Sequence, residues 1–170
     1  MRSRIVAAAV VSVLTLAACM RASVPPAAVD TSADEAAIQV TGNSWFEGFK
    51  AGDVERVVAT YADDAVVMPP NTPPMNSKDA LRAFFTSETA NIKSAGLEIV
   101  NGASTTGVSG DTGWHQGSYT VKAGDGTAVD AGSYMEIWRK RDGKWLIVRD
   151  IWNSSNKPSP PAPPAAPASS

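Results

Sequence analysis

Between Leu97 and Trp152 three turn signals cut the chain into four β-rich segments, which leaves that half little choice of fold. The turns are Ser109-Gly110-Asp111, Gly124-Asp125-Gly126 and Asp142-Gly143. The segments between them are Leu97 to Thr106, Thr112 to Val121, Val129 to Lys140 and Lys144 to Trp152. Connections this short join only antiparallel neighbours, so a meander of long strands is expected.

The last hairpin is specific enough to read by residue. A two-residue turn at Asp142-Gly143 sets Arg141 against Lys144. Regular pairing then puts Trp138 opposite Ile147, Glu136 opposite Arg149, Met135 opposite Asp150 and Tyr134 opposite Ile151. One face carries Tyr134, Trp138, Trp145, Ile147 and Ile151 around a Glu136–Arg149 ion pair. The other carries Met135, Ile137, Leu146, Val148, Asp150 and Trp152. Both faces are apolar, so both need cover.

Ahead of the strands the period is helical. Ile38, Trp45 and Phe49 fall on one face of a helix over Asp34 to Lys50. Gly52 suits its C-cap and Asp53 the N-cap of a second helix with Val54, Val57, Val58 and Tyr61 on one side. Ala65 to Met68 reads as a short strand stopped by Pro69-Pro70, and Ser77 caps a third helix that turns Leu81, Phe84 and Phe85 inward. The fold class is therefore α+β: a curved antiparallel sheet with three N-terminal helices packed on one face. The uncovered face asks for a partner, and a second copy, giving a homodimer, is the simplest.

The two ends read differently from this core. Arg2 and Arg4 precede an apolar run from Ile5 to Ala18, too short to span a bilayer and of the length of a signal-peptide core. Leu16-Ala17-Ala18-Cys19 resembles the bacterial lipobox. Residues 1–18 are thus expected to be a lipoprotein signal peptide, with Cys19 as the lipidation site. The protein is then held in the bacterial cell envelope by acyl chains, facing outside the cytoplasm and touching the membrane only through that anchor. Residues 19–33 read as a flexible tether, 34–156 as the folded domain, and 157–170, rich in Pro, Ala and Ser, as a disordered tail. Without Arg2, Arg4 and Arg21 there remain 12 Lys and Arg against 17 Asp and Glu, a balance that argues against nucleic-acid binding. One cysteine and one histidine, Cys19 and His115, leave no intramolecular disulfide, no Cys-rich zinc site and no His-based metal cluster; no metal or cofactor is implied.

The stretch Gly52-Asp53-Val54 through Tyr61-Ala62-Asp63-Asp64-Ala65-Val66-Val67-Met68-Pro69 resembles the nuclear-transport-factor-2-like superfamily, which includes SnoaL-like polyketide cyclases and ketosteroid isomerases. Gly143-Lys144-Trp145-Leu146-Ile147-Val148-Arg149-Asp150-Ile151-Trp152-Asn153 resembles the last strand of a bacterial branch of it. The resemblance spans residues 34–155 and implies a cone-shaped fold with a pocket between helices and curved sheet, usually dimeric. It does not carry over the isomerase chemistry. The position of the catalytic base holds Pro69, and Trp45 stands where those enzymes use a tyrosine. Nor is the Asp-Arg-Asp set of epoxide hydrolases evident, because adjacent Arg149 and Asp150 point to opposite faces.

Two candidates for acid–base chemistry remain. Asp150, among apolar neighbours, suits a general base, unless it fixes the sheet end by accepting hydrogen bonds. His115 is a candidate as the one side chain of the type that changes charge near neutrality when unperturbed, unless it is packed or surface-lying. The ligand pocket is expected to involve Tyr61, Met68, His115, Tyr119, Asp150, Trp152 and Asn153. Three functions fit: a lipoprotein that binds a small, mostly apolar ligand; an acid–base enzyme of isomerase, cyclase or hydrolase type; and a non-catalytic interaction protein.

Overall fold

The computed structural model describes residues 29–156, so the expected signal peptide, the expected lipidation site Cys19 and the Pro-rich tail lie outside the described residues. Helix α1 runs over Ser32–Ala51, starting two residues before the expected Asp34. It carries Asp34 and Glu35 in its first turn and Lys50 in its last, as the helix dipole favours. Gly52 ends it in the left-handed conformation, with φ 75°. The Asp53 side chain then accepts from the Arg56 N–H and opens the single turn of α2, Val54–Val58. Tyr61 is not on this helix, contrary to the helical spacing it continues. It opens strand β1, Tyr61–Met68, which is longer than the apolar Ala65–Met68 alone indicates. Ser77 caps α3, Lys78–Ser94, by accepting from the Ala80 N–H.

The meander follows as β2 (Glu98–Ser109), β3 (Thr112–Lys122), β4 (Ala128–Arg141) and β5 (Lys144–Trp152). The spatial order is β1-β5-β4-β3-β2. The four meander strands pair antiparallel, while β1 adds to the open edge of β5 in parallel, so the curved sheet is mixed. The Asp142-Gly143 turn has positive φ at both residues, 50° and 77°, as a type I′ hairpin requires.

The expected pairing of this hairpin holds from Arg141–Lys144 to Trp138–Ile147 and then fails. An extra residue, Val148, bulges out of β5, so Ile137 faces Arg149, Glu136 faces Asp150, Met135 faces Ile151 and Tyr134 faces Trp152. A shift of one residue exchanges the faces beyond it. Ile147 and Val148 are consequently both buried, Asp150 turns inward and Ile151 outward. The expected Glu136–Arg149 ion pair does not form: Arg149 donates to the carbonyls of Asp64 and Val148 instead.

The helices cover the concave face, where Ile38, Phe49, Val57, Tyr61, Leu81, Phe85, Trp138 and Ile147 form the core. Asp34 joins the start of α1 to the hairpin end, its Oδ1 accepting from Lys140 Nζ at 2.6 Å and from Trp145 Nε1 at 2.9 Å. The convex face stays open, with Trp114 37%, Met135 41% and Ile151 47% exposed.

Candidate functional site

Between α1, α3 and the sheet lies a cavity of about 250 Å³. Trp45, Phe46 and Phe49 from α1 and Phe84 and Phe85 from α3 form its helical wall. Tyr119, Tyr134 and Trp152 come from the strands. These rings interlock. Trp45 stacks on Phe49 at 5.2 Å, Phe85 meets Trp45 edge-on at 5.7 Å, and Phe84 lies 6.1 Å from Trp152.

Asp150 and Glu136 lie within this aromatic lining, only 4% and 7% exposed. They are direct cross-strand neighbours, a placement created by the Val148 bulge. Each has one oxygen held. The Trp45 indole donates to the Tyr61 hydroxyl at 3.0 Å, and that hydroxyl donates to Asp150 Oδ2 at 2.7 Å. Glu136 Oε2 accepts from Trp138 Nε1 at 3.0 Å and lies 3.1 Å from His115 Nδ1. With Glu136 as acceptor, His115 carries its proton on Nδ1, and Nε2 is left facing the Tyr134 hydroxyl at 3.4 Å.

Burial, reinforced by the negative charge of Glu136, pushes the Asp150 carboxyl up to about 8, against the lowering effect of the Tyr61 hydrogen bond. Asp150 is thus predominantly protonated at neutral pH. Burial and the same two acids raise the Tyr61 phenol well above its usual range. The Tyr134 phenol is pushed up to about 12, first by burial and then by Glu136. Both tyrosines are neutral donors rather than bases.

The residues expected at a pocket are only partly brought together. Tyr119, Asp150 and Trp152 line the cavity. Tyr61 stands one hydrogen bond behind it, stacked on Phe85. His115 is buried behind Glu136, beneath α1, so close that a Cβ on Gly42 would stand 3.0 Å from its ring. It positions Glu136 and does not line the cavity. Asn153 holds the sheet end, pairing with Ser133 and accepting the Tyr119 hydroxyl on its carbonyl. A Cβ on Gly132 would stand 2.0 Å from that same carbonyl, so only glycine fits there. Met68 alternates with buried Val67, faces the other side of the sheet and pairs with Ile151.

Glu136 is the site residue that sequence reasoning missed, because regular pairing assigned it to Arg149. The available signal was the run Trp145-Leu146-Ile147-Val148, whose unbroken apolar character allows a bulge. Among the described residues no three His, Cys, Asp or Glu side chains are grouped to hold a metal ion.

A family model described as the SnoaL-like domain matches residues 43–148. Among solved structures, the chain is similar to an NTF2-like protein with a cystatin-like fold from Novosphingobium aromaticivorans. Identity is 18%, coverage is 71% of this chain and 80% of that one, and the TM-score is 0.64. It is also similar to an NTF2-like protein of unknown function from Pseudomonas putida, at 19% identity, 74% and 88% coverage and a TM-score of 0.65. A ketosteroid isomerase-like protein from Erwinia carotovora atroseptica is 20% identical over 74% of this chain and 99% of that one, with a TM-score of 0.58. None of the curated proteins matches the chain. At these identities the likeness carries the fold and leaves chemistry to the site.

Proposed function

This chain belongs to the SnoaL-like domain family, and from that premise we propose that it binds a small, mostly apolar ligand in the cavity between its helices and sheet. One observation carries the reading: the cavity of about 250 Å³ is walled by interlocked aromatic rings and reached by two buried carboxyl groups. An apolar enclosure with a few convergent polar groups is the usual form of a small-molecule site. Native mass spectrometry of the chain, purified without denaturation, tests it. A reproducible small-molecule adduct supports the binder, and an empty protein that also fails to take up any apolar probe rejects it.

A second reading is favoured by Asp150. A carboxylic acid with its pKa pushed up to about 8 at a cavity is suited to donate a proton at neutral pH and to accept one above it. Conversion of the captured compound by the wild type and not by Asp150→Asn would establish acid–base catalysis by an isomerase, cyclase or hydrolase.

We also propose two features of assembly. The convex face, with Met135, Ile151 and Trp114 in the open, is where a second copy would pack to form a homodimer. Cys19 would carry the acyl chains that hold the protein in the bacterial envelope; incorporation of labelled palmitate, lost in Cys19→Ser, checks this.

A further inference from the structure

Among the described residues, four carboxyl groups and no cationic side chain line the cavity. They are Glu88 from α3, Asp130 and Glu136 from β4, and Asp150 from β5. Asp130 is engaged at the strand ends, accepting from the Ala131 and Asn156 N–H groups and from the Ser154 hydroxyl. Glu136 and Asp150 are not fully engaged. Their held oxygens are Oε2 and Oδ2, and no protein group among the described residues donates to Glu136 Oε1 or Asp150 Oδ1. These two oxygens open into the apolar cavity, and once Asp150 has lost its proton both are acceptors for the donors of a ligand. The ring faces of Trp45, Phe84, Tyr119 and Trp152 nearby are electron-rich and attract cations rather than anions.

From this geometry we infer that the ligand is a protonated primary amine on a compact hydrocarbon or aromatic body, with its ammonium seated between Glu136 and Asp150. The inference rests on reading the cavity as a ligand site and names what that site selects. An ammonium brings several N–H donors to the two open oxygens and a charge that offsets the carboxylates. A neutral alcohol brings one donor and no charge. Carboxylate and phosphate ligands are repelled.

Seating the ammonium is coupled to the proton on Asp150. The titratable groups at that carboxyl are Glu136 and Tyr134 from β4 and Tyr61 from β1, and Tyr119 from β3, Glu88 from α3 and Asp130 at the strand end line the same cavity. Helix α1 contributes rings and no titratable group to the cavity. Because Asp150 is protonated at neutral pH, amine affinity rises as that proton is lost toward about pH 8.

The test is calorimetric titration of the full chain with 2-phenylethylamine, 2-phenylethanol and propylbenzene, which share one shape and differ in charge and donors. The amine is expected to bind at least about tenfold tighter than either neutral compound, with a preference that grows between about pH 6 and about pH 8. Asp150→Asn and Glu136→Gln should each shrink the preference. Equal binding of the amine and the alcohol overturns the ammonium inference, as does propylbenzene binding as well as the amine; in both cases the cavity remains a ligand site. Failure of all three to bind overturns the cavity reading as well.

Discussion

Replacing Asp150 by asparagine should make the protein more stable at alkaline pH while barely changing it in acid. The carboxyl is 4% exposed, and its pKa rises from 3.8 when unfolded to about 8 when folded. The folded state therefore binds this proton more tightly than the unfolded state, and stability falls as pH rises from the lower value to the upper. Below both values the group is neutral in each state and imposes no penalty. A displacement of roughly four units, at about 1.4 kcal/mol per unit, sets an upper limit of roughly 6 kcal/mol, reduced by any water that enters the cavity. Asparagine keeps the shape and can still accept the Tyr61 hydroxyl on its amide oxygen, but it has no proton to lose. Surface acids such as Asp34, Asp64 and Glu98 are shifted downward by their cationic partners and act below about pH 4 in the opposite direction. They are common to both proteins and cancel in the difference. Urea unfolding of wild type and Asp150→Asn at about pH 5, 6.5 and 8 should show a stability gap that widens with pH by several kcal/mol. A gap that stays constant across those three values would refute a buried, proton-retaining Asp150.

Three further outcomes follow from the same geometry. Tyr61→Phe strips Asp150 Oδ2 of its donor and leaves the Trp45 indole unpaired; stability read by urea unfolding should drop by about 1–3 kcal/mol, and the pH window of Asp150 should move upward. Gly132→Ala forces a Cβ against the Asn153 carbonyl and the Tyr119 ring; a loss of about 2 kcal/mol or more, read by thermal unfolding, is expected, and a neutral change contradicts the close approach. Ile151→Lys, on the convex face where we propose that a second copy packs, should leave thermal stability of the monomer nearly unchanged while light scattering reads the monomer mass in place of the proposed dimer's.

The parts of the fold legible in the sequence are those governed by local chemistry. Gly52, Asp53 and Ser77 mark helix ends because their conformational and hydrogen-bonding roles do not depend on distant partners. Asp142-Gly143 fixes its turn for the same reason. Tyr61 shows where local reasoning stops: it continues the helical spacing of Val54, Val57 and Val58, yet pairing with β5 draws the chain into a strand at that residue. The candidate site was half legible. Asp150 stands out as an acid among apolar residues in any register. Glu136 does not, because whether it meets Arg149 or Asp150 depends on one bulged residue whose cause is tertiary packing. His115 was visible as the sole histidine, but its burial behind Glu136 depends on how closely α1 approaches at Gly42.

The parallel seam between β1 and β5 has a consequence for the order in which the molecule is completed. Strands β2 to β5 are joined through hairpins and can associate as each emerges during synthesis, whereas among the described residues β1 has β5 as its only strand neighbour. The Tyr61 hydroxyl and the Asp150 carboxyl it serves are 89 positions apart. A nascent chain must therefore hold its first three helices and β1 without their sheet until almost the last strand is made, the slow, long-loop closure that topology imposes. The cavity is completed last, because Asp150 and Trp152 on the final strand belong to its wall.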